Sequence, residues 1–104
     1  MEKYRVCSTD QIPRGTGIRV RLKDKEIALF RTKDDRFFAL ENRCPHRDGP
    51  ISEGMLSGTT LICPLHNMRI ELSTGTLCNG GNEEYDNIRV FRVEHIDGYV
   101  WIYE

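Results

Sequence analysis

A chain of 104 residues sets one domain as the default and leaves room for a core of modest size. Charged residues make up 30% and nearly cancel, for a formal net charge of −1, whereas nucleic-acid-binding domains usually carry a strong basic excess. No apolar run approaches the roughly 18 residues that a membrane span needs, and the start, "MEKYRVCSTD", lacks the apolar region of a signal peptide, so a cytoplasmic protein with neither nucleic acid nor membrane as partner is expected.

In chain order the apolar pattern is mostly period two, which predicts strands. "YRVCS" alternates Tyr4 and Val6. "GIRVRLKDK" puts Ile18, Val20 and Leu22 on one face and Arg19, Arg21 and Lys23 on the other, a basic stripe that reads as the solvated side of an amphipathic strand. "EIALFR" is apolar on both faces and predicts a central strand. "KDDR" is a polar turn, and "FFALEN" is a strand that runs straight into "RCPHRDGP". Further on, "TTLIC" predicts a short strand ending at Cys63, and "MRIEL" one that stops at the turn "STG". "CNGGNEEYD" reads as a loop. "NIRVFRVE" predicts a strong strand, "HIDG" a hairpin turn with His95 at the surface, and "YVWIYE" the closing strand. Phe91, Val93 and Trp101 read as core. No stretch of a dozen residues carries a helical period, and strands with turns this frequent predict an all-β sandwich or barrel.

The chemistry concentrates in cysteine and histidine. Of the four cysteines, Cys7 and Cys78 read as free thiols in a reducing compartment. The other two have histidine neighbours. Cys44 and His46 flank Pro45; Cys63 and His66 flank Pro64 and Leu65; 16 residues separate His46 from Cys63. The pattern is C-x-H-x16-C-x2-H, one thiol and one imidazole in each half, and each half lies in a Pro-containing turn at the end of a predicted strand. Neighbouring strand-end loops can bring four such donors round one metal centre. Cys2His2 also suits Zn²⁺, so a zinc-stabilised interaction module is the alternative on the same ligands, although common zinc spacings keep the two Cys together and the two His together. Gly15-Thr16-Gly17 lacks the third Gly and following helix of a nucleotide loop, and there is no G-x-S-x-G or evident carboxylate pair.

These two halves resemble the ligand set of a Rieske [2Fe–2S] centre, in which one iron takes two Cys and the other two His. The resemblance implies a Rieske-type antiparallel fold over 1–104, with a base of about 1–42 and 79–104 and a cluster-binding part of about 43–78 formed by two hairpin loops. It also implies one [2Fe–2S] cluster per chain, with Cys44 and Cys63 on one iron and His46 and His66 on the other. Neutral imidazoles in place of two thiolates remove negative charge, which raises the potential above that of an all-Cys site. High-potential members carry an extra Cys in each loop and Ser and Tyr hydroxyls after the last His. Here those places hold Gly49, Leu65, Met68 and Ile70, which implies a potential at the low end of the Rieske range, about −150 mV.

The longer blocks "IALFR", "FALENRCPHRDGPISEGMLSG", "CPLHN" and "ELSTG" look like the small subunit of assimilatory NAD(P)H-dependent nitrite reductase, over roughly residues 3–104. That likeness implies a large partner subunit with FAD, an iron–sulfur cluster and sirohaem, where nitrite becomes ammonia. The chain alone reads as an electron carrier, not a complete catalyst. Met68, where members often have an aromatic, and the long acidic "LCNGGNEEYDN" also suit a stand-alone Rieske ferredoxin working between a flavoprotein reductase and an aromatic-ring dioxygenase. Asp48 and Glu53, which flank the site, read as solvated or as contributors to docking.

Overall fold

In the computed structural model, residues 2–43, 50–62, 69–76 and 88–104 are described. Their strands are β1 (Lys3–Ser8), β2 (Thr16–Leu22), β3 (Lys25–Arg31), β4 (Phe37–Glu41), β5 (Met55–Ser57), β6 (Thr60–Ile62), β7 (Arg69–Glu71), β8 (Val90–Phe91), β9 (Val93–Ile96) and β10 (Tyr99–Tyr103), with a 3-10 turn at Thr9–Gln11. They pair antiparallel in three sheets, ordered β1-β10-β9, β2-β3-β4-β8 and β5-β6-β7. The all-β expectation is met, and no helix among the described residues is long and apolar enough to cross a membrane.

The four-stranded sheet lies in the middle. Successive side chains of a strand point to opposite faces, so β3, apolar at every central position, must bury both. Ile27 and Leu29 enter one core with Ile12, Leu22, Phe91, Val100 and Ile102; Ala28 and Phe30 enter another with Leu40, Ile51, Leu61, Ile70, Leu72 and Ile88. The first core joins the middle sheet to β1-β10-β9, and the second joins it to β5-β6-β7.

Several elements depart from the sequence pattern. The predicted strand through Lys25 is broken by a two-residue turn at Lys23–Asp24, which leaves Leu22 paired with Lys25. Arg19, Arg21 and Lys23 are exposed, as expected. β5, which was not anticipated, pairs with β6. "NIRVFRVE" is two strands: β8 pairs with β4 in the middle sheet, and after Arg92 the chain passes to β9 beside β10. β9 runs on to Ile96, so His95 is a strand residue; it is exposed, with its ring 4.8 Å from that of Phe37, and the turn falls at Asp97–Gly98. Phe91 and Val93 join the first core as expected. Trp101 does not. Val100 and Ile102 take the inward positions of β10, leaving Trp101 half-buried on the outer face with the Lys3 ammonium 5.0 Å from its ring. Its Nε1 has no hydrogen-bond partner among the described residues.

Cys7 is a free, half-buried thiol whose burial raises its pKa; Cys78 lies outside the described residues. The β3–β4 turn is tied to the segment after β1 by Asp35. Its carboxylate accepts from Arg14 Nε at 2.8 Å and from Arg31 Nε at 2.9 Å, while Arg31 also donates to the carbonyls of Thr9 and Ile12, both at 3.0 Å. The Arg14 hydrogen bond, with Arg31 beside it, brings the Asp35 carboxyl down from 3.8 to about 2.

Candidate metal centre

Cys44, His46, Cys63 and His66 lie outside the described residues, as do Pro45, Asp48, Gly49, Pro64, Leu65 and Met68. The residues bordering their two segments, and those bordering 77–87, show how the frame holds the ends of each.

The segment 44–49 begins just beyond β4. Asn42, at that strand's end, is buried, and its backbone N–H donates to the Glu26 carbonyl at 2.9 Å. Its side-chain Nδ2 donates to Glu26 Oε1 and its Oδ1 accepts from the Ser52 N–H, both at 2.9 Å. A buried carboxamide thus joins the strand before the segment to the chain after it. The segment 63–68 connects β6 and β7. It is closed by the pairing of Ile62 with Arg69, over the buried pair Leu61 and Ile70. The segment 77–87 is closed where the Ile88 N–H donates to the Gly75 carbonyl at 2.9 Å. Gly75 has φ +75°, and a Cβ there would lie 2.0 Å from Ile88 O, so only glycine fits.

The first two closures touch. The Gly54 N–H donates to Ile51 O at 3.0 Å, and a Cβ on Gly54 would lie 2.7 Å from Ile62 O. The return of the first segment therefore packs directly against the residue before Cys63. Beneath them Ile51, Leu61, Ile70, Leu72 and Ile88 form one core, so residues next to all three segments rest on a common apolar base.

Sequence reasoning singled out prolines and Gly49 within the loops, and it passed over Asn42, Ser52, Gly54 and Gly75. The available signal was a carboxamide ending the apolar run "FFALEN", where a buried polar group needs partners. Ile70, which stands where a hydroxyl was considered, is fully buried among apolar side chains, and Glu53 is exposed.

Residues 2–92 match the family model of the Rieske [2Fe-2S] domain. The chain belongs to this family. A Rieske domain binds a [2Fe–2S] cluster, and its work is electron transfer. Among curated relatives, the chain is 35% identical over 102 residues to the nitrite reductase [NAD(P)H] large subunit of Klebsiella oxytoca, covering 93% of this chain and 10% of that one. It therefore spans about a tenth of that relative's length. It is 36% identical over 104 residues to the 3-phenylpropionate/cinnamic acid dioxygenase ferredoxin subunit of Photorhabdus laumondii, covering 98% of this chain and 94% of that one. Among solved structures, one assigned as the small subunit of NADPH nitrite reductase superposes with a TM-score of 0.88 over all of both chains at 20% identity, a likeness of fold.

Proposed function

We propose that this Rieske protein passes electrons through a [2Fe–2S] cluster held by Cys44, His46, Cys63 and His66, as the small subunit of a cytoplasmic NAD(P)H-dependent nitrite reductase. The donor set fits the group: two thiolates hold one ferric iron and two neutral imidazoles the other. The glycine-tight contact of Gly54 with Ile62 supports the fit, because it joins the bases of the two ligand-bearing segments. In this reading residues 43–78 carry the cluster and the remainder is the base. When bound, the cluster takes up and releases one electron at a time. The chain's part is to fix the donors, to surround the base of the site with apolar side chains, and to keep a proton on the non-ligating ring nitrogen of each imidazole. At high pH, loss of that proton couples to the redox state.

What supports the nitrite-reductase reading is the 35% identity over 102 residues to a nitrite reductase large subunit, of which the match spans a tenth. A stand-alone ferredoxin feeding an oxygenase is the second reading, favoured by the match in length to the dioxygenase ferredoxin subunit. Purification from the native host distinguishes them. A stable complex with a flavin- and sirohaem-containing subunit is expected; isolation alone, with activity in an oxygenase assay, would replace the first reading by the second. A colourless zinc protein would overturn both.

The ligands are tested directly. Cys63→Ser is expected to lose most of its iron, and His66→Cys to hold any cluster at a much lower potential. Full iron and an unchanged spectrum in both would show the ligands to be misassigned. The buried, apolar Ile70 offers no hydroxyl, and a potential near the low end, about −150 mV, follows; a titration above about +100 mV would contradict it.

A further inference from the structure

We propose that Asn42 is a positioning residue for the cluster: its carboxamide clasps the two ends of the segment bearing Cys44 and His46 and so sets how firmly that pair is presented, an inference resting on the ligand assignment above. The closures of 63–68 and 77–87 carry backbone links, Ile62 paired with Arg69 and the Ile88 N–H on the Gly75 carbonyl. At Asn42 a side chain makes the link, so a single substitution can open it.

The residue type follows from the contacts. The buried Ser52 N–H needs an acceptor, and the same carboxamide donates to Glu26 Oε1, an exposed carboxylate oxygen that also lies 3.6 Å from Arg19 Nη1; both carboxamide bonds are 2.9 Å. Its orientation is set by Glu26: with Nδ2 committed there, Oδ1 is left for Ser52. Asp at this place would put a second carboxylate against Glu26, and an apolar side chain would leave the Ser52 N–H unpaired. Asn42 and Ser52 are each only 8% exposed, so the bond between them is that of largely buried groups. Ser52 is also seated against the middle sheet, because a Cβ on Gly17 would lie 3.0 Å from Ser52 O. The clasp thus ties the segment to β2 and β3 as well as to β4.

Iron leaves a cluster through local opening of the residues that hold it. Removing a buried hydrogen bond raises the opened population, and hence the release rate, roughly tenfold. The test uses the full, cluster-loaded protein. Iron release to a chelator, EPR g-values and reduction potential are compared between wild type, Asn42→Ala and Asn42→Leu, the last keeping the branched shape of the side chain should the alanine variant fail to fold. Both are expected to release iron roughly tenfold faster and to shift the g-values. Asn42→Asp, which keeps an acceptor for Ser52, should fall between them and wild type. Ile102→Val, a trim in the other core, should lower the thermal midpoint without speeding release. A wild-type release rate and spectrum in Asn42→Leu, or equal acceleration by Ile102→Val, would overturn the proposal. Iron loss in Cys63→Ser alongside a wild-type rate in Asn42→Leu would leave the ligand assignment standing and remove only the clasp.

Discussion

On one face of the middle sheet, Ile27, Leu29 and Phe91 meet Val100 and Ile102, strands packed against strands, with Ile12 of the β1–β2 connection, among the described residues, as the one buried residue of that core outside a strand. On the other face, Ala28, Phe30 and Leu40 meet Leu61 and Ile70 but also Ile51, Leu72 and Ile88, which belong to no strand. These last three stand close to the ends of the segments 44–49, 63–68 and 77–87. The first core holds sheet to sheet and anchors the β1–β2 connection through Ile12, whereas the second holds the residues next to the segments 44–49, 63–68 and 77–87. Loss of packing on the two faces should therefore have different consequences, even where the loss of stability is the same.

The largest effects come from emptying each core. Leu29→Ala and Leu61→Ala each remove a fully buried side chain and should cost about 2–5 kcal/mol in denaturant unfolding. Only Leu61→Ala should also speed iron release and alter the visible spectrum; equal cluster behaviour in the two variants would break the comparison. Gly54→Ala comes next. The added methyl would sit 2.7 Å from both Ile62 O and Leu61 Cδ1, so backbone must shift, at about 1–3 kcal/mol. Iron per chain should fall with it, measured against thermal unfolding of the same sample. The smallest effect is electrostatic and lies on the first-core side. The Asp35 carboxyl is depressed from 3.8 to about 2, so the stability it adds is fully present above its unfolded value and is lost as pH falls through about 2. Asp35→Asn, tolerated at the positive φ of 63°, should flatten the dependence of the urea midpoint between about pH 4 and pH 2. The cluster spectrum should not change.

What could be read from the sequence follows the same division. β3 was legible because both its faces are apolar, and the Cys/His spacing led to the family that residues 2–92 confirm. The passage from β8 to β9 was not legible: alternation continues through Arg92, and only tertiary pairing sends the two halves to different sheets. Trp101 was misplaced for a related reason. "YVWIY" is apolar on both faces, and period two does not say which face turns inward. β5 is three residues between turns, too short for a period to show. The Asn42 clasp joins residues ten apart through one carboxamide, and no periodic pattern records such a bond.

The tied ends have an evolutionary consequence. A stretch of chain that departs from and rejoins a frame at fixed points can be lengthened, shortened or rewritten without re-registering the strands beneath it. Replacing residues 63–68 or 77–87 by the corresponding stretch of a distant homologue should therefore leave the strand pairing of the frame intact, as read by thermal unfolding.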